Sequence, residues 1–202
     1  MNNKQWQERI TRRSDFTCGL VHLTKANGKR SAIETLIKIL QEKKLNGGKG
    51  YVCGNDPVVC LQDVPLHSLS ENILYEQKLH KEDNQPTRYS AFGLRFSKEF
   101  IYKNGGRPVL YEKTETAKKL LSPNEYWRIV CLDLSDSNNV IDWTHEREWR
   151  IKGDLDFQWK DVEILLSQEY DIKRFLAQCN DSGIGNILDE VKGIITLKSI
   201  LF

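Results

Sequence analysis

Phe16-Thr17-Cys18-Gly19-Leu20-Val21-His22-Leu23-Thr24, and after a short polar link Ser31-Ala32-Ile33-Glu34-Thr35-Leu36-Ile37-Lys38-Ile39-Leu40, is where the chain changes its period. In the first run Cys18, Leu20, His22 and Thr24 alternate with Gly19, Val21 and Leu23, which predicts a strand over 16–24 with His22 and Thr24 on one face. In the second, Ser31 and Glu34 form a capping-box pattern ahead of Ile33, Leu36, Ile37 and Leu40. That stripe predicts an amphipathic helix running to about Leu45. It should stop at Asn46-Gly47-Gly48, where glycine can take the left-handed cap conformation.

The same reading carried outward interleaves strands and helices. Strands are predicted over 58–64, 89–96, 107–112, 127–134, 162–166 and 193–197, and helices over 68–79, 97–106, 116–121, 171–178 and 184–191. His80 to Thr87 reads as a polar loop. No regular strand-helix-strand rhythm emerges, so the fold class expected is α+β, one domain over 1–202, with a mixed or antiparallel sheet and flanking helices.

Bulk properties bound the function. The 202 residues are 39% hydrophobic and 29% charged, inside the range of globular chains, and no run approaches a membrane span. The N-terminus has no apolar signal segment, so the chain is expected to stay in the cytoplasm. Five cysteines, odd in number and without a Cys-x-x-Cys pair, argue against a disulfide framework or a structural zinc site. Net charge is only +2, yet residues 1–50 hold eleven Lys/Arg against four Asp/Glu. Arg9, Arg12, Arg13, Lys29 and Arg30 could therefore meet the phosphates of DNA or RNA, or form a solvated basic face. Dinucleotide, P-loop, zincin and nucleophile-elbow motifs are absent from the sequence.

The chemistry-bearing stretch is Asp142-Trp143-Thr144-His145-Glu146-Arg147-Glu148-Trp149-Arg150-Ile151. Read as a strand, it sets Glu146, Glu148 and Arg150 on one face and Arg147, Trp149 and Ile151 on the other. A carboxylate fixed this way could orient a sugar hydroxyl or stabilise a developing cation; the alternative is a strand face laced with ion pairs. Trp143 and Trp149 read as core anchors.

Three segments in this order, VHLTKANGKRSAIETLIKILQEKKL, then VCLQDVPLHSL, then HEREWRIKGDLDF with DVEILL, resemble the DarT-like ADP-ribosyltransferases and the related abortive-infection (AbiGi-type) phage-resistance proteins. RYSAFGLRFSKEFIYKNGGRPVLYE is similar to the AbiGi-type group in particular. After Pro65 the chain departs from the Phe/Pro-rich continuation of the DarT-like pattern. The resemblance implies a bent, split sheet with NAD as substrate. It implies that His22 contacts a ribose hydroxyl, supported by Thr24, and that Glu148 stabilises the oxocarbenium as the glycosidic bond breaks, with Glu146 as its rival. Tyr89 becomes a candidate for stacking on nicotinamide, and Arg88 for the phosphates.

Three functions follow as expectations: an NAD-dependent ADP-ribosyltransferase of a phage-defence or toxin system, with a nucleic-acid acceptor or an operonic protein partner; a non-catalytic binding or neutralising component with the same fold; or a nucleic-acid-binding protein that uses the basic N-terminal part without chemistry. A nearly isosteric Glu148→Gln change is expected to leave the fold intact.

Overall fold

The computed structural model describes residues 2–83 and 89–200. In chain order the strands are β1 (Gly19–Leu23), β2 (Lys44–Leu45), β3 (Val58–Gln62), β4 (Gly93–Ser97), β5 (Arg107–Pro108), β6 (Leu110–Glu112), β7 (Ile129–Cys131), β8 (Glu148–Lys152), β9 (Leu155–Asp156), β10 (Val162–Leu166) and β11 (Gly193–Thr196). The helices are α1 (Asn3–Thr11), α2 (Ala32–Glu42), α3 (Leu66–Asp83), α4 (Lys98–Lys103), α5 (Thr114–Leu120) and α6 (Glu169–Asp181). The class is α+β, with mixed strand pairing. The chain forms two compact units woven from separate segments: Met1–Lys44, Val64–Ser97 and Phe157–Phe202 in the first, Leu45–Asp63 and Lys98–Asp156 in the second.

The first unit orders its strands β11-β10-β4-β1. β1 and β10 run antiparallel to β4, while β11 lies parallel to β10. Both faces are covered. Leu20 and Val21, neighbours that point to opposite sides of β1, are each essentially inaccessible. Val21 joins Leu69 and Ile73 of α3 with Leu165 and Leu197 in one apolar cluster. α2 contributes Ala32, Ile33, Leu36, Ile37 and Leu40 to the buried core.

Ser31 and Glu34 close the predicted capping box, the side chain of each accepting from the other's backbone N–H. The predicted glycine stop is corrected: α2 ends at Lys43, in the left-handed conformation at φ 50°. An L-residue there costs about 1 kcal/mol, and tertiary contacts offset it. The Lys43 carbonyl accepts from Phe157 N–H at 2.9 Å, and its ammonium lies 4.3 Å from the Trp159 ring centroid. The Trp159 indole N–H donates to the Leu40 carbonyl at 2.7 Å, so the helix end is held from a distant segment.

Other boundaries also moved. α3 starts at Leu66, since the Pro65 carbonyl accepts from Leu69 N–H, and it extends through the 80–83 stretch read as loop. Residues 123–128 form a 3₁₀ turn with Pro123 in its first turn, leaving only Ile129–Cys131 as strand. Of the helix predicted over 184–191, one 3₁₀ turn remains, Ile187–Asp189; Gly183 and Gly185, both at φ 75°, interrupt the chain on either side of Ile184.

In the second unit β8 lies between β3 and β5, antiparallel to both, and β6 pairs in parallel with β7. Trp127 is the buried tryptophan here, whereas Trp143 and Trp149, expected as core anchors, are only half-buried.

Gly93 permits a close approach of two backbones in the first unit. A Cβ there would stand 2.3 Å from the backbone oxygen of His22. Gly93→Ala must push β1 from β4, and we expect it to lower stability by about 2 kcal/mol, or roughly 4–8 °C in thermal melting for a chain of this length. An unchanged melting curve would show that the strand pair is looser than this contact requires.

Candidate functional site

His22 lies half-buried on β1 in register with Leu94 of β4. Thr24 follows just past the strand end and is buried. Its hydroxyl lies 3.0 Å from the Phe92 carbonyl and 3.1 Å from the Ala32 carbonyl, and its own N–H also donates to Phe92. With a single proton shared between two carbonyls, Thr24 ties β1 to the approach of β4 and to the start of α2. The Thr24 carbonyl accepts from Ser90 N–H, which brings the half-buried Tyr89 to this end of β1. Arg88 lies outside the described residues.

Lys29 and Arg30 line a groove between α2 and α6 together with Glu34, Glu42 and Asp181, so its charge is mixed. Arg13 pairs with Asp15 and stacks over Phe16. No helix among the described residues is long and apolar enough to cross a membrane.

Glu148 belongs to the second unit, and its surroundings begin with a turn. Asp142 accepts from the N–H and hydroxyl of Thr144 at 2.8 and 2.7 Å, bonds that hold its carboxyl below the usual range. This sets up the 3₁₀ turn Thr144–Glu146. Arg147 then takes the left-handed conformation at φ 45°, and β8 starts at Glu148. The strand predicted from residue 146 is corrected accordingly. Glu146 sits in the turn, ahead of the left-handed residue, and does not share the β8 face of Glu148 and Arg150.

That face is buried and tightly bonded. Glu148 and Arg150 form a two-point ion pair, Nε to Oε1 at 2.8 Å and Nη2 to Oε2 at 3.2 Å, with 8% and 5% of the respective side-chain surfaces exposed. Arg150 also donates through Nη1 to the carbonyls of Trp127 at 2.8 Å and Ile129 at 3.2 Å, and through Nη2 to that of Tyr51 at 3.4 Å. Burial acts against the guanidinium charge, but the hydrogen bonds and charge of Glu148 outweigh it and raise the Arg150 pKa. The backbone of Glu148 is fixed as well: its N–H donates to the Tyr111 hydroxyl at 2.7 Å, and its carbonyl accepts from Val109 N–H.

β3 completes the face. Gln62 stands opposite Glu148 and Cys60 opposite Arg150. Gln62 is buried, while Cys60 keeps accessible surface. The Cys60 thiol is nevertheless crowded: burial first, then the charge and hydrogen bond of Glu148, push its pKa up to about 12. The thiol is reachable from solvent and protonated at neutral pH. Tyr111 is pushed up to about 12, again chiefly by burial. Sequence reading carried Arg150 only as an ion-pair partner and did not place Cys60, Gln62 or Tyr111 beside Glu148. The alternation of Val58-Val59-Cys60-Leu61-Gln62 held the signal that Cys60 and Gln62 share a face.

No family model, curated protein or solved structure matches this chain.

The ion pair corrects one expectation about mutation. Glu148→Gln is isosteric but leaves the buried Arg150 charge uncompensated. We expect a loss of about 3 kcal/mol, while Glu148→Gln combined with Arg150→Met should recover part of it because the stranded charge is gone. Chemical denaturation of the three proteins measures this; a silent single variant would show that the pair is solvated.

Titration gives a second test. The Cys60 and Tyr111 protons are held more tightly in the fold than at their ordinary values of 9.0 and 10.0. Their contribution is therefore complete below pH 9 and lost as pH rises toward 12. Phenolate absorbance should show one tyrosine ionising late, together with alkaline unfolding, and Tyr111→Phe should remove that late step.

Proposed function

We propose that this protein is a cytoplasmic NAD-dependent ADP-ribosyltransferase of a phage-defence or toxin system, with a DNA or RNA acceptor. The observation that carries the reading is the Glu148 carboxylate, at the first residue of β8 directly after the left-handed Arg147 and gripped at both oxygens by Arg150. Beyond the lone pairs given to Arg150, one more takes the Cys60 thiol's hydrogen bond and another remains on the carboxylate. The reading also draws on the resemblance of the His22, Val59–Leu69 and Glu148 segments to DarT-like and AbiGi-type proteins.

In this reaction the bond between C1′ of the ribose and N1 of the pyridinium breaks, and its electron pair goes to nitrogen, so nicotinamide leaves neutral. Positive charge develops on C1′ and the ring oxygen. A fixed carboxylate stabilises that charge without reorganising, because its orientation is set before the reaction begins. An N–H or O–H group of the acceptor attacks C1′ and loses its proton to solvent. His22 takes the ribose contact in this reading, and Tyr89 and Arg88 remain candidates for the base and phosphates.

One observation favours a second reading, a non-catalytic binding or neutralising component acting with an operonic protein partner. The Glu148–Arg150 pair is buried and also holds the Trp127 and Ile129 carbonyls, a structural duty sufficient to explain both residues.

Nicotinamide release from NAD, with and without single-stranded DNA or RNA, separates the two. The enzyme reading expects release by the native protein, a loss of about a hundredfold or more in Glu148→Gln, and little change in Glu146→Gln. Measurements belong below the melting temperature of every variant, given the stability cost above. No release by the native protein under any condition leaves the binding reading, and loss in Glu146→Gln alone transfers the carboxylate role.

A further inference from the structure

The Oε1 atom of Gln62 is buried and has no hydrogen-bond partner among the described residues. The whole residue is 6% exposed. It lies directly across the β3–β8 ladder from Glu148, so the two side chains leave the sheet on the same face as neighbours. A buried acceptor without a donor is costly and uncommon, because its bonds to water are lost and nothing replaces them. Methionine would fill nearly the same volume without that loss. The face that holds Gln62 opens to solvent at Cys60, two residues earlier on the same strand.

We propose that Gln62 is a substrate-binding residue: its Oε1 accepts a hydrogen bond from a donor on the pyridine-nucleotide substrate, beside the carbon that Glu148 stabilises. This rests on the transferase reading above and adds to it the group that orients the substrate. The donor is an N–H or O–H close to the reacting bond, either the carboxamide of nicotinamide or a hydroxyl of its ribose. The amide turns toward the Cys60 end of the face to meet it. The unpaired acceptor is satisfied only on binding, so affinity is gained at the expense of stability.

Gln62→Met tests this with two readouts that a structural glutamine would not move together. The variant should melt about 2–4 °C higher than the native protein, because an unpaired buried acceptor has been replaced by an apolar side chain of similar shape. It should also bind NAD about threefold to tenfold more weakly, measured by calorimetry on the intact chain. Nicotinic acid adenine dinucleotide, which lacks the carboxamide N–H, identifies the donor. A native preference for NAD that Gln62→Met erases assigns the carboxamide, and equal weakening of both dinucleotides assigns a ribose hydroxyl. A lower melting temperature in Gln62→Met means that the acceptor is satisfied within the resting protein and overturns the proposal. Unchanged NAD affinity in the variant overturns it while leaving the transferase reading in place. If the native protein binds no NAD, both fall.

Discussion

A buried arginine must find acceptors for its five donors and a negative charge for its own, and in the second unit that demand is centred on Arg150. Glu148 meets the charge requirement with both carboxylate oxygens, and the carbonyls of Trp127, Ile129 and Tyr51 take the remaining donors. Those carbonyls belong to a 3₁₀ turn, to β7 and to the segment before β3. One side chain thereby fixes three backbone segments that share no strand ladder with β8 at those points. Apolar residues of similar volume could fill such a space without desolvating two charges. They would not set the direction of a carboxylate.

The first unit is organised by shape rather than by charge. Its inner strands β1, β4 and β10 are largely buried, and β1 and β4 meet closely at Gly93, where only hydrogen fits against the His22 carbonyl. Thr24 spends its hydroxyl on two carbonyls at the junction of β1, the approach to β4 and α2. On the face that Leu20 and Thr24 share, His22 is half-buried, between the core position Leu20 and the structural Thr24. Leu20 is committed to packing and Thr24 to its two carbonyls.

What could be read from sequence was what is local. Ser31 and Glu34 are three apart, and their reciprocal bonds need nothing beyond that turn. The stop of α2 at Lys43 was not legible, because it depends on Trp159, whose indole reaches Leu40 from 119 residues away. The pairing of Glu148 with Arg150 followed from a period of two, but its burial did not. That depends on carbonyls 21 and 23 residues distant from Arg150 and on β3 and β5 covering the strand. Glu146 was misassigned for a related reason. Alternation continues through a sequence regardless of the backbone, and only the Asp142–Thr144 bonds and the left-handed Arg147 reveal that the strand has not yet begun.

Three local costs gather on the β3–β8 pair: a non-glycine residue in the left-handed region at Arg147, a desolvated ion pair at Glu148 and Arg150, and an unpaired buried acceptor at Gln62. Each has a simple remedy in glycine, an apolar pair or methionine, and substitutions of this kind commonly stabilise proteins. Strain that persists where cheaper residues would fit points toward a use, and it does so most strongly when several instances lie side by side. The turn decides where the strand begins, Arg150 decides where the carboxylate points, and Gln62 leaves an acceptor unsatisfied beside it. Together they form a face held rigid before anything binds, which is the condition under which a fixed charge can act on a developing cation without first reorganising.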